Sequence, residues 1–444
     1  MPSSKNGAVK LFYVIVTITC LASFLLMSTS SRASLQTFRF FQESQPPLPN
    51  DRKAVIDRLY KMGQYNWIDY LDTMDDEGLS PLTKEVQKWI YDNQHPPNPK
   101  EECRKKKFLI AGGTENVGLG AYLHKQGFLL AAALEAGWIY VLEPTGTENG
   151  KYEFSDNCGP SNGPVQSSLE CFTQPYSSCT YDDALQAETK VKTNTWGTVD
   201  LDGTSYDKDL VPSLWKRKLQ EKFPNAELTT EFFRLWWRGQ SSAYLSRLNS
   251  RTTDALLSLR LKASLHSTYS ARSNNASTPV PYPLPEGTFN LHVRHGDKGS
   301  EMTLIPFSAY VETVQKYAAE NPMGVYKRLF VSSEDSEVIH SANLLPLSDR
   351  DNGTTSSRTW EVFTSHIPRY NKGPMDQLSL FGRSTMTLSW YLQLWMGLEC
   401  DGWVGTRASN WNRIIDEFRC IFVDKCHLPY FEVGLKNDWK GYFW

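Results

Sequence analysis

The 444-residue chain lacks an excess of charge of either sign: 47 Lys and Arg stand against 49 Asp and Glu, for a formal net charge of -2. That excludes the broad basic surface by which proteins grip nucleic acid. It lacks Cys and His at metal-ligand spacing: no CxxC occurs, and no zinc site is expected. A Walker A sequence is absent. No DxD triplet follows a predicted strand, and Asp207-Lys-Asp209, which has the letters, falls in a polar stretch. A phosphate-cradling P-loop and a metal site of the DxD kind are therefore not expected. Internal repeats are missing, and so is any long apolar run beyond one near the N-terminus.

That one run occupies residues 11–27, LFYVIVTITCLASFLLM, behind Lys5 and Lys10. As a helix it spans roughly 25 Å, enough for a thin bilayer. It exceeds the usual signal-peptide core, and residues 31–33 make a poor cleavage site, so an anchor is preferred to a cleaved signal. Positive charge ahead of the span places residues 1–10 in the cytosol and the rest in a lumen. Asn275-Ala-Ser and Asn352-Gly-Thr then become acceptors for N-glycosylation. Of the eight Cys, seven follow the anchor: Cys103, Cys158, Cys171, Cys179, Cys400, Cys420 and Cys426. In an oxidising lumen some pair, and an odd count leaves at least one over. Fourteen Trp are present, and each reads as core filler before it reads as a sugar platform.

The length suits two packed α/β lobes with appendages. Residues 28–50 are rich in Ser, Gln and Pro and read as a solvated stem. Helical periodicity runs through residues 51–92, so that 28–100 forms a stem with helices whose apolar faces could pair two chains. Phe108-Leu-Ile110 is a short strand, followed by a Gly-rich loop containing Gly118 and Gly120, then a helix to Ala136 and a strand ending at Leu142. Residues 144–205 read as loop, and 227–265 as helix. The Pro-rich stretch at 278–287 separates lobes at 101–286 and 287–444. In the second lobe strands and helices alternate: Phe289 to Val293, Phe307 to Glu320, Arg328 to Ser332, Glu337 to Asn343, Met386 to Glu399, Gly402 to Gly405 and Asn410 to Cys420. Such alternation predicts a parallel sheet covered on both faces.

Four places can carry chemistry. His292-Val-Arg-His-Gly-Asp-Lys298 leaves the carboxyl end of a strand, where ligands of open α/β sheets bind. His292 and Arg294 share one strand face. Arg294 can fork onto a diphosphate, and Glu301 can take a proton from a hydroxyl with Lys298 as its partner. The plainer reading is a charged strand end with an ion pair. Ser409 opens a helix whose N-terminus suits phosphate, or simply caps it. Gly118 and Gly120 let backbone approach a ligand, or only make a turn. Ser332-Ser-Glu-Asp335 follows a strand, where Glu334 or Asp335 binds a sugar hydroxyl or caps the next helix.

These segments resemble the α1,6-fucosyltransferases that core-fucosylate N-glycans. HVRHGDK with Glu301 is similar to the family's HVRRTDK followed by Glu. Collinear likenesses occur in NPKEECRKKKFLI at 98–110, GLGAYLH at 118–124, FTQPYSSC at 172–179, WWRGQSSAYL at 236–245, LFVSSED at 329–335 and VGTRASN at 404–410. The resemblance implies a two-lobed, GT-B-like fold with a Rossmann-like nucleotide lobe, in a Golgi type II membrane protein. It implies inverting, metal-independent transfer of fucose from GDP-fucose to a glycan acceptor, a GlcNAc hydroxyl in α1,6 linkage, with no cofactor. Protein or polysaccharide acceptors, or an inactive glycan-binding relative, are the alternatives. By position, His292 touches guanine, Arg294 holds the diphosphate, and Gly118, Gly120, Ala408, Ser409 and Asn410 line it. Glu301 is the base and Lys298 its partner, while His295, Asp297, Asp335 and Gln393 complete the substrate site. The family's bridge maps onto Cys103 and Cys179. Three other bridges map to Ala111 with Leu129, Val117 with Ala121, and Gly405 with Asn412, where both Cys are absent. The chain departs from the family at His295 in place of Arg, at Gln393 in place of a guanine-binding Asp, in a Glu301 one residue closer to the motif, and in having no SH3-like domain. His295 is expected to serve as the second cation.

Overall fold

The computed structural model describes residues 52–76, 78–113, 117–144, 154–156, 168–265, 280–321, 328–348 and 360–434. The expected anchor, the segment 28–51, Asn275 and Asn352 lie outside them. Among the described residues no helix is long and apolar enough to cross a membrane.

The chain begins with helices α1 (Arg52–Lys61), α2 (Trp67–Asp72), α3 (Thr83–Gln94) and the single turn α4 (Pro99–Glu102). It continues through β1 (Phe108–Ala111), α5 (Leu119–Ala136), β2 (Ile139–Leu142), α6 (Tyr181–Gln186), β3 (Lys190–Thr193), β4 (Thr198–Leu201), β5 (Thr204–Asp207), α7 (Ser213–Lys222), α8 (Thr230–Leu245) and α9 (Ser250–Leu265). The remainder is β6 (Thr288–His292), α10 (Phe307–Glu320), β7 (Arg328–Ser332), α11 (Ser336–Ser348), β8 (Glu361–Thr364), α12 (Pro374–Phe381), α13 (Arg383–Leu398), β9 (Gly402–Gly405), α14 (Asn410–Ile421) and β10 (Tyr430–Glu432).

Two parallel sheets result. One has the order β2-β1-β3, the other β10-β9-β6-β7-β8. The central strands β1, β6 and β9 are buried along their whole length, as strands covered on both faces must be. This is the mixed α/β, parallel-sheet architecture expected from the alternating pattern.

Three expectations need correction. Residues 144–205 are not simply loop, because β3 pairs with β1 there and β4 pairs antiparallel with β5. β3 is an exposed edge strand of sequence KVKT, so it carries no apolar alternation to reveal it. Secondly, the helices assigned to a stem belong to the body. Val55, Ile56, Leu59 and Tyr60 of α1 are buried in the main core, the Tyr60 hydroxyl donates to Glu399 at 2.8 Å, and Arg52 donates to Asp401 at 3.2 Å. Their apolar faces are thus spent inside the chain rather than on a second copy. Thirdly, the core ignores the division at 287: Tyr391, Trp395, Phe418 and Phe422 from α13 and the α14 end join the cluster containing Trp67 and Tyr122.

Cys103 and Cys179 form a disulfide with Cα atoms 5.5 Å apart, as the resemblance implied, tying the lead into β1 to the start of α6. Cys420 bonds Cys426, Cys171 is also disulfide-bonded, and Cys400 is a buried free thiol.

Candidate functional site

The parallel register of β6 on β7 builds the site. His292 lies level with Ser332, so residues just past the two strand ends meet at a sequence offset of forty. His292 Nδ1 sits 2.9 Å from Ser332 Oγ. Arg294 reaches Glu334, and His295 Nδ1 sits 2.8 Å from Asp335 Oδ2. The HVRHGD and SSED segments are therefore one charge-complementary unit. Gly296, at φ +56°, lets the chain turn away. A Cβ there would stand 2.4 Å from Arg294 Nη1 and 2.8 Å from the Lys372 carbonyl oxygen. The following 3-10 turn, Gly296–Ser300, carries Lys298 inward, where its ammonium donates to Glu301 Oε2.

Beside this unit is a cavity of about 590 Å³, the size of a nucleotide pocket. Its wall takes His292, Arg294, Asp297, Lys298, Ser300, Glu301 and Glu334 from the β6 and β7 ends, and Ser409, Asn410 and Trp411 from the start of α14. Trp390 and Gln393, one helical turn apart on α13, add to it. From the other sheet come residues 117–121 at the start of α5, and Trp196 from the β3–β4 connection.

Two helix N-termini converge on this space. Those of α5 and α14 approach so closely that a Cβ on Gly120 would lie 3.1 Å from the Asn410 carbonyl group. Gly120 thus serves helix-to-helix approach. Neither Gly118 nor Ser409 caps its helix through a side chain. The capping alternative for Ser409 is not realised, and first-turn N–H groups of both helices have no such acceptor. The Asn410 amide is committed within the protein: its Oδ1 lies 3.0 Å from His124 Nδ1 and accepts from Arg413 at 3.2 Å.

Electrostatics separate the two histidines. Burial, and then the Arg294 charge, push His292 down to about 3, so its imidazole is neutral. Its Nε2 is buried and makes no hydrogen bond within the protein, which leaves unused capacity on the cavity wall. Both ring nitrogens of His295 are engaged, by Asp335 and by the Ile305 carbonyl oxygen at 3.1 Å. Neither His295 nor Asp335 is on the wall, because they answer each other across the sheet; Ala408 is not on it either, and its N–H donates to Thr406 Oγ1 at 3.3 Å. His295 therefore does not supply the expected second cation to the cavity. Arg294 is on the wall but not open: Glu334 and Asp297 both hold its guanidinium. Burial alone would lower its pKa, but the two carboxylates more than offset that and raise it. Gln393 donates to Ser365 Oγ at 3.3 Å, which leaves its carbonyl as the group it can present.

Sequence reading passed over Trp390, Trp411 and Trp196. The first two could have been found, since Trp390 stands three before Gln393 and Trp411 adjoins Asn410. Trp196 had no signal, lying among Lys, Thr and Gly. Among the described residues no group of three or more His, Cys, Asp or Glu is placed to hold a metal ion.

No known family model matches the chain, and no curated protein sequence does. Solved structures resemble it distantly. The fucosyltransferase NodZ from Bradyrhizobium, an α1,6-fucosyltransferase soaked with GDP-fucose, is 14% identical; the match covers 70% of this chain and 92% of that one, with a TM-score of 0.34. A mutant of Arabidopsis thaliana FUT1 in complex with GDP is 11% identical over 81% of each chain, with a TM-score of 0.40. POFUT1 in complex with GDP is 13% identical over 74% of this chain and 99% of that one, with a TM-score of 0.33. All three scores lie below 0.5, so no residue role is taken from these structures.

Proposed function

We propose that this protein is a glycosyltransferase that moves fucose from GDP-fucose to a glycan hydroxyl, inverting the anomeric carbon without a metal ion. One observation carries the reading: a nucleotide-sized cavity on which two uncapped helix N-termini, a buried imidazole with an unused nitrogen, a guanidinium and a Lys-bound carboxylate converge. The collinear motif resemblance supports the choice of donor.

In this reading the diphosphate lies against the starts of α5 and α14, whose N–H groups and dipole ends favour the charge that develops on the leaving group. Arg294 turns to it from Asp297, the more exposed of its two partners. His292 Nε2 and the Gln393 carbonyl face the base. Glu301 takes the proton of the acceptor hydroxyl as that oxygen attacks C1 of fucose from the face opposite the diphosphate. The new C1–O bond forms, the old one breaks, and GDP leaves with the bonding pair. Lys298 orients the Glu301 carboxylate. We extend the proposal to an N-glycan GlcNAc acceptor in α1,6 linkage, and to a single-pass type II Golgi protein with its catalytic region lumenal and glycans on Asn275 and Asn352. The apolar run at 11–27 and the two sequons support that location.

The test is calorimetry with GDP, followed by transfer from labelled GDP-fucose to an N-glycan in the presence of EDTA. Micromolar GDP binding with EDTA-resistant transfer is expected. Absence of GDP binding overturns the donor, and loss of transfer in EDTA overturns metal independence.

A further inference from the structure

Behind Trp196 the structure holds a second, smaller cavity of about 20 Å³, open to solvent and unused by the proposed reaction. Lys125 of α5, Lys208 of the turn after β5, and Arg234 and Arg238 of α8 converge on it, with His124 beside them. Among the described residues its wall carries no carboxylate. Surface lysines are usually a solvated face, but Lys125 is 3% exposed and Arg238 7%. Four cations gathered at partly desolvated positions are costly unless negative charge answers them.

The protein answers only part of that charge. Asp209 accepts from Arg234 at 3.0 Å on the side away from the wall, and the Lys125 ammonium lies 5.3 Å from the Trp196 ring centre. Burial, and then the neighbouring Arg413, push Arg238 down to about 9 even with Glu417 nearby. Trp196 belongs to both walls. Its indole is a face on which a sugar ring can lie in the main cavity, and beyond its edge stand the cations.

We infer that this basic pocket is an acceptor subsite for an anionic substituent, a carboxylate or sulfate on a sugar stacked at Trp196, so that the preferred acceptor is an acidic glycan. This deepens the reading of the main cavity as a glycosyltransferase site and rests on it for the word acceptor. The binding itself needs no donor. A carboxylate or sulfate oxygen fits a space of this size, whereas a whole sugar does not. Arg and Lys around it offer fork and point-charge donors suited to either group.

Binding of the full-length protein to matched oligosaccharides tests this without donor. One pair is a glucuronate-containing oligosaccharide and its methyl ester. The other is 6-sulfated and unsulfated GlcNAc oligomer. At ~0.1 M salt we expect one acidic member to bind about tenfold tighter than its neutral twin, and the pair that responds identifies the anion. Lys208→Gln should reduce the preference, Lys125→Gln with Lys208→Gln should abolish it, and Lys125→Arg should keep it. Equal binding of acidic and neutral forms by the wild type, or a preference that survives the double substitution, overturns the inference. GDP calorimetry on the same samples separates the two claims. Acid preference without GDP binding sinks the donor assignment and leaves the subsite standing, while GDP binding without acid preference does the reverse.

Discussion

The wall of the main cavity that β6 and β7 supply is charged and cross-linked, while the facing wall offers backbone and a single indole. On the first, Arg294, Asp297, Lys298, Glu301 and Glu334 are held to one another by ion pairs that parallel register imposes. On the second, the start of α5 contributes main chain at Val117 to Ala121, and Trp196 adds an aromatic face. The difference teaches a division of labour. Groups that meet developing charge are pre-positioned on the sheet with more strands, whose neighbours lock them. The other side closes the space and leaves room for a variable acceptor. The same contrast recurs within three residues: His292 keeps one nitrogen unused, whereas His295 spends both.

The sharpest way to break this comparison is at the carboxylate. Glu301→Gln should cut turnover by ~10³-fold, with GDP affinity within about twofold of wild type. A rate loss under tenfold would remove Glu301 from the chemistry. Next comes Arg294→Lys, which keeps the charge but loses the fork that spans two carboxylates. GDP affinity measured by calorimetry should fall by about 10- to 100-fold; unchanged affinity would mean that the guanidinium never leaves Glu334 and Asp297.

On the facing wall, Gly120→Ala should force the start of α5 away from Asn410. It should lower GDP affinity by about tenfold, since overpacking of this kind costs ~1–3 kcal/mol. Gly118→Ala meets only a Pro374 ring carbon at 3.0 Å and should be milder. Equal effects of the two would undo the claim that backbone approach matters here.

The histidines give the smaller effects. His292 has a folded pKa below its unfolded value, so the unfolded chain takes up a proton that the folded chain refuses. Its contribution to stability is therefore complete above about pH 6.5 and is lost as pH falls towards about 3, at roughly 1.4 kcal/mol per pH unit within that window. Denaturant midpoints between pH 6.5 and 5 should fall more steeply for wild type than for His292→Gln, and parallel slopes would refute it. His295→Gln, off the wall, should leave GDP affinity within about twofold; a tenfold drop would restore it as the missing cation.

Much of the charged wall was legible beforehand. His292 and Arg294 share a strand face by simple alternation, and Lys298 and Glu301 are three apart in a turn. The Cys103–Cys179 bridge followed from resemblance alone. What could not be read was which residue answers which. His295 looked like a spare cation because the forty-residue offset that delivers Asp335 to it is a property of sheet pairing. β3 and Trp196 were invisible for a different reason. An exposed edge strand of alternating Lys has no apolar period, and one Trp beside Thr and Gly resembles any surface Trp. The helices before residue 94 looked like a pairing surface because an apolar stripe does not state whether it is covered by its own chain or by another.

By itself, the sequence determined where strands and helices alternate, since period and turn residues act locally, and it marked the strand ends that bear functional groups. It also determined that two oxidised Cys, 76 residues apart, could meet. Only the tertiary structure decided that Arg294 is clasped by two carboxylates, that α5 and α14 aim their N-termini at one space, and that four cations gather behind Trp196. Each of these depends on register and on helix packing between distant segments. A residue's own neighbours in the chain carry no record of such contacts.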